Sequence, residues 1–195
     1  MDRAQVQVTL RVVAAFEQLG IRYAIGGSVA SSSYGLPRST NDADVVASIS
    51  PDQAAALVAE LESEFYVSEE AVQRAVRAGQ SFNLIHSEAI FKVDVFVAKP
   101  GGFDASQLER RQLGKASDES VEEWYLVSPE DIVLAKLDWY RRGNEVSDRQ
   151  WEDVQCVIRV QAKSLDLGYL RRWAVELKVD DLLARALDDA GVTEQ

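Results

Sequence analysis

The chain has 195 residues, 47% hydrophobic, and a formal net charge of −11, which is enough apolar material for one domain or a domain with a helical annex and an acidic excess that opposes broad binding to phosphate backbones while allowing a local basic groove. A single cysteine, Cys156, and a single histidine, His86, exclude an intrachain disulfide and a cysteine-rich zinc site, so a bound metal has to be held by oxygen. No run approaches the roughly 18 apolar residues of a membrane span, and MDRAQVQVTLRVVAAF lacks a basic segment followed by a long apolar one, so the expected address is cytoplasmic.

Val6, Leu10, Val13, Phe16 and Leu19 recur at spacings of three and four, which predicts an amphipathic helix over 5–19 stopped at Gly20. IRYAI (21–25) reads as a short strand, VASSSYG (29–35) as a helix opening at Gly27-Ser28, and ADVVASI (43–49) as a second strand. Ser50 and Pro51 form a cap and first-turn pair for a helix reaching Phe65, and a further short helix is expected over 69–78. SFNLIHS (81–87) and AIFKVDVFVA (89–98) are expected to be adjacent strands joined by a tight turn near Ser87-Glu88. KPGGFDAS (99–106) is the clearest break, followed by a charged, less regular stretch and a strand in VEEWYLVS (121–128). Beyond Ser128 the pattern becomes helical at 129–142, 147–162, 166–177 and 180–190, with Gly143-Asn144 a turn between the first two. The fold class is therefore α/β (α+β): a mixed sheet with helices over 1–127, followed by a C-terminal helical bundle over 128–195.

The chemistry concentrates in GGSVASSSYGLPRSTNDADV (26–45). A Gly-Gly-Ser turn between a strand and a helix lets backbone approach a ligand and aims free N–H groups at an anion where the helix dipole favours it. Residues two apart in a strand face the same way, so Asp42 and Asp44 present their carboxylates on one face about 7 Å apart along the chain. Such a pair repels unless a cation lies between, and magnesium with oxygen ligands is the usual solution. Asp94 is the acidic residue within the apolar alternation of FKVDVFV, and the cost of burying a lone carboxylate joins it to the same cluster, with the three carboxylates expected to converge. Lys92 shares a face with Asp94 and reads as its charge partner. Arg38 either pairs with a surface carboxylate or touches a nucleotide. Glu130 and Asp153 read as ordinary helix charges, Lys136 as either a solvated helix residue or a phosphate contact, and His86, Cys156, Trp139 and Trp151 as packing residues.

Gly27-Ser28, thirteen intervening residues, Asp42-Ala43-Asp44 and a later strand bearing Asp94 resemble the nucleotidyltransferase superfamily of the polymerase-beta type over roughly residues 20–97. Arg38-Ser39-Thr40-Asn41-Asp42-Ala43-Asp44 is similar to the R-x-T-x-D-x-D form of minimal, toxin-like members, and SPEDIVLAKLDWY (128–140) with SDRQWEDV (147–154) resembles the C-terminal motifs of the AbiEii-like toxin group. The resemblance implies a magnesium-dependent nucleotidyltransferase that moves a nucleoside monophosphate from a nucleoside triphosphate (NTP) to a hydroxyl on tRNA, a protein or a small molecule. By the same resemblance Asp42, Asp44 and Asp94 bind two metal ions, Gly26, Gly27, Ser28, Arg38, Thr40 and Lys136 hold the nucleotide, and Lys136 and Asp153 assist at the catalytic site. An antitoxin protein is the partner such a toxin would have, and Arg141, Arg142, Arg149, Arg171 and Arg172 could line a tRNA groove. A silent nucleotide-binding or protein-interaction module on the same fold, and a plain scaffold with structural aspartates, are the competing readings.

Overall fold

The structure is a computed structural model that describes residues 1–116 and 121–192. In chain order its elements are α1 (Arg3–Gln18), β1 (Arg22–Ile25), α2 (Gly27–Tyr34), β2 (Asp42–Ser48), α3 (Pro51–Leu61), β3 (Phe65–Tyr66), α4 (Glu69–Ala78), β4 (Ser81–His86), β5 (Lys92–Val97), α5 (Gly102–Glu109), β6 (Gln112–Lys115), β7 (Glu123–Leu126), α6 (Pro129–Arg142), α7 (Asp148–Gln161), α8 (Leu167–Leu177) and α9 (Asp180–Asp189). They form two compact units, one of residues 1–26 and 39–127, the other of residues 27–38 and 128–192 among those described.

The first unit is built on a mixed sheet in the order β3-β4-β5-β2-β1-β7-β6. Polar side chains that bond back to the third residue set the starts of its helices. Asp2 and Gln5 form a reciprocal capping box on α1, and Ser50 and Gln53 do the same for α3, with Pro51 at the first helical position. Strict alternation in β2 and β5 turns Ala43, Val45, Ala47, Val93, Val95 and Val97 into the core and leaves the intervening residues on the opposite face. Burying each valine contributes about 1.5–3 kcal/mol, so a slip of one residue in either strand, which would move three apolar side chains to the wrong face, is strongly disfavoured.

The expected break at 99–106 and the irregular stretch after it hold more structure than their composition suggests. α5 starts at Gly102, and β6 forms an edge strand whose residues stay largely exposed. An exposed edge needs no apolar alternation, so β6 leaves no periodic signal. Part of the stretch, residues 117–120, lies outside the described residues. β3, only two residues long, is likewise too short for a pattern; it pairs Phe65 with His86 and Tyr66 with Ile85.

The second unit is helical. α6, α7 and α8 are capped by Ser128, Ser147 and Asp166, each accepting a hydrogen bond from the backbone N–H three residues on. α2 packs against α6 and α7. Its closing residue, Gly35, is where backbone meets helix: a Cβ there would lie 2.9 Å from the Ser31 carbonyl oxygen and 3.2 Å from the Cβ of Cys156. A side chain at 35 would push α2 and α7 apart. Gln161 on α7 donates to the Tyr34 carbonyl at 2.9 Å, which satisfies an otherwise open helix end. No helix among the described residues is long and apolar enough to cross a membrane.

Candidate active site

β2 and β5 run parallel and in register, with Asp42 opposite Lys92 and Asp44 opposite Asp94. Paired residues on adjacent strands share a face, so all four lie on the side of the sheet away from the valine core. β4, antiparallel on the far side of β5, places Asn83 opposite Asp94 on that same face. The sequence reading missed Asn83, although the alternation of SFNLIH carries the signal for its orientation.

The bonding around these groups is specific. The Asp94 carboxylate takes the Lys92 ammonium at 2.5 Å on Oδ2 and the Asn83 amide on Oδ1. The same ammonium is 4.0 Å from Asp42 Oδ2, and Asp42 Oδ1 accepts from the Thr40 hydroxyl at 2.9 Å. The Lys92 pKa is raised, chiefly by its hydrogen bond to Asp94, with the charges of Asp94, Asp42 and Asp44 adding to it against partial burial. The carboxylates thus share one face as the spacing predicted. They are not drawn together: among the described residues no three His, Cys, Asp or Glu side chains are gathered closely enough to hold a metal ion. Lys92 and Asn83 account for the position of Asp94, and Thr40 for that of Asp42.

The Gly26 N–H donates to the Asp44 carbonyl at 2.8 Å, and the chain enters α2 at Gly27, whose φ of 51° lies in the left-handed region that favours glycine.

Within the helical unit, Ser28, Arg38, Lys136 and Asp153 form a second constellation. Arg38 grips Asp153 with two parallel hydrogen bonds, Nε to Oδ1 at 2.9 Å and a terminal nitrogen to Oδ2 at 2.8 Å, and it also donates to the Ser28 hydroxyl. Lys136 donates to Asp153 Oδ2 at 2.8 Å and to Gln150 Oε1 at 3.1 Å. The Lys136 side chain is only 5% exposed, and that of Asp153 10%. Burial opposes ionisation of Asp153, but the hydrogen bonds and charges of Arg38 and Lys136 outweigh it and hold the carboxyl below its usual range.

Reading Asp153 and Glu130 as ordinary helix charges is therefore corrected. Both are buried, Asp153 in this pair of cation contacts and Glu130 accepting the backbone N–H of Asp166 at 2.9 Å. Lys136 is not a solvated helix residue either. Helical periodicity did not reveal these roles because each partner comes from a distant segment. Asp131, not singled out from sequence, is fully buried between the hydroxyls of Ser128 and Tyr169, at 2.7 Å and 2.5 Å. Trp139 is half exposed rather than packed, whereas Trp151 stacks beside Tyr140 with ring centroids 5.3 Å apart. His86 packs edge-on against Phe65. Two members of the expected arginine groove are held by acids: Arg141 pairs with Glu145 and Asp181, and Arg142 with Asp138.

No family model matches the sequence, and no curated protein matches it. Solved structures do match. An antigenic nucleotidyltransferase-like protein from Paracoccidioides brasiliensis aligns at 18% identity with a TM-score of 0.53, over 96% of this chain and 94% of that one. The antibiotic-resistance factor ANT(2'')-Ia aligns at 15% identity and 0.57, over 95% and 97%. The lincosamide antibiotic adenylyltransferase LnuA, lincomycin-bound, aligns at 15% and 0.51, over 80% and 96%. The fold is that of the nucleotidyltransferases. The sheet face offers three hard carboxylate donors on two adjacent strands, with the Lys92 ammonium between Asp42 and Asp94.

Proposed function

We propose that the protein is a magnesium-dependent nucleotidyltransferase, transferring a nucleoside monophosphate from an NTP to a hydroxyl-bearing acceptor. The observation that carries this reading is the register of β2 and β5, which sets Asp44 beside Asp94 with Asp42 one step along the same face. Asp42, Asp44 and Asp94 would hold the metal, which when bound neutralises phosphate charge and makes the acceptor hydroxyl more acidic.

The chain's own groups then have distinct tasks. As the new O–P bond forms at the α-phosphorus, the acceptor's proton goes to the Asp94 carboxylate, which Asn83 holds in orientation; the bond to the bridging oxygen breaks and pyrophosphate leaves. Gly26, Gly27 and Ser28 supply backbone and hydroxyl donors for phosphate oxygens, and Arg38 and Lys136 supply positive charge, each kept in a fixed orientation by Asp153. Thr40 orients Asp42. Little covalent work falls to the protein, so positioning and charge carry the catalysis.

For the acceptor, the neighbours named for lincosamide adenylyl transfer and antibiotic resistance make a small hydroxylated molecule the first class to test. The toxin-like version, with a tRNA acceptor and an antitoxin partner, rests on the motif resemblance alone, and the engagement of Arg141 and Arg142 by acids argues against a groove at those two positions. The test is pyrophosphate release from each of the four NTPs with magnesium, against panels of small hydroxylated compounds and tRNA. Magnesium-dependent release that vanishes in Asp44→Asn supports the reading. Nucleotide binding without release in any panel would instead favour a silent module on the same fold.

A further inference from the structure

Lys92 is more than a neutralising neighbour. Its ammonium sits 2.5 Å from Asp94 Oδ2 and 4.0 Å from Asp42 Oδ2, touching two of the three carboxylates assigned above to magnesium. The other Asp94 oxygen is engaged separately by Asn83, so withdrawal of the lysine frees Oδ2 while the carboxylate keeps its orientation. The Lys92 side chain is 42% exposed, and its flexible four-carbon stem lies on the solvent side of β5, so the head can swing away without disturbing the valine core.

We propose that Lys92 is a tethered, displaceable cation that competes with magnesium for the carboxylate face and ties metal uptake to nucleotide. The inference rests on the function proposed above. Two cations cannot share Asp94 Oδ2, so metal entry requires the ammonium to leave, and the displaced ammonium regains an ion pair only where another anion comes within its reach. An NTP brings that anion in its phosphates. Metal alone should then bind weakly and metal with nucleotide well, whereas a site without the lysine would load metal first and nucleotide second.

The experiment counts bound manganese by electron paramagnetic resonance, with magnesium-dependent melting shifts as a second readout, in the parent, Lys92→Met, Lys92→Arg and Asp44→Asn. Expected is roughly tenfold tighter binding of metal alone in Lys92→Met, the scale of one partly exposed ion pair with more than one carboxylate. Adding a non-hydrolysable NTP should sharpen metal binding strongly in the parent and in Lys92→Arg but little in Lys92→Met. Metal affinity in Lys92→Met equal to or below that of the parent overturns the competition while leaving the proposed function standing. Equal metal binding in parent and Asp44→Asn overturns both. Should Lys92→Met not hold its fold without metal, Lys92→Gln, which keeps a hydrogen-bond donor near Asp94 without the charge, reads the same competition.

Discussion

Two constellations of charge in this protein are built on opposite principles. On the sheet, the face of β2 and β5 sets three carboxylates against one half-exposed lysine. In the helical unit, one nearly buried carboxylate, Asp153, is bonded by two cations through three well-formed hydrogen bonds, and Lys136 makes a fourth to Gln150. The first arrangement leaves negative charge that repels itself and is relieved by anything cationic. The second centres on one anion, and removing Asp153 takes the shared counter-charge from a buried lysine and a largely buried arginine. Carboxylates that weaken the empty fold are expected to act on a ligand, while a carboxylate that stabilises it acts on its neighbours.

The largest expected effect breaks the contrast at the sheet. Asp44→Asn should lower magnesium-dependent pyrophosphate release by at least about a hundredfold, because the donor charge is lost while size is kept. The same variant should melt at the parent temperature or slightly above it without metal, since one repelling charge is gone. A calorimetric melt paired with the activity assay checks both, and an apo protein that unfolds would place Asp44 with Asp153 as a structural carboxylate.

Next in size is the converse. Asp153→Ala leaves Arg38 and Lys136 without their shared anion, and the cost should be about 3–5 kcal/mol in urea unfolding, in the range for breaking one partner out of a buried pair. Acid sharpens the same point. The folded-state pKa of Asp153 is depressed, so its contribution is complete above the unfolded value near 4 and is lost as pH falls through that value towards the folded one. Melting temperature followed from pH 6 to pH 2 should drop more steeply below about pH 4 in the parent than in Asp153→Asn. The smallest expected effect is a control. Arg74 pairs with Glu70 one turn away, both largely exposed, and Arg74→Ala should shift stability by less than about 0.5 kcal/mol.

Much of this was legible in the sequence, for identifiable reasons. Asp42, Asp44 and Asp94 sit in strands with period-two burial, and once two strands are known to be neighbours, shared parity puts them on one face. The C-terminal helices announce themselves through Ser128, Ser147 and Asp166 at their caps and through apolar spacing. The Arg38-Asp153 pair did not, because 115 positions separate its partners and no local rule links them. The membership of α2 was hidden for a similar reason: its small residues satisfy a turn-and-helix reading equally well whichever unit receives them, and the choice shows in its packing on α6 and α7, in Gly35 against Cys156 and in Gln161 bonding Tyr34.

That choice has a bearing on how the molecule is made. The helical unit is assembled from two stretches of chain with the segment 39–127 between them, so its first helix leaves the ribosome long before α6 and α7 exist to receive it. An eight-residue helix is too short to persist in water by itself. During synthesis α2 is therefore expected to stay unformed while the sheet gathers, and to be recruited last, when the C-terminal helices arrive. A nascent chain that ends before α6 lacks the α6 and α7 surfaces on which α2 docks.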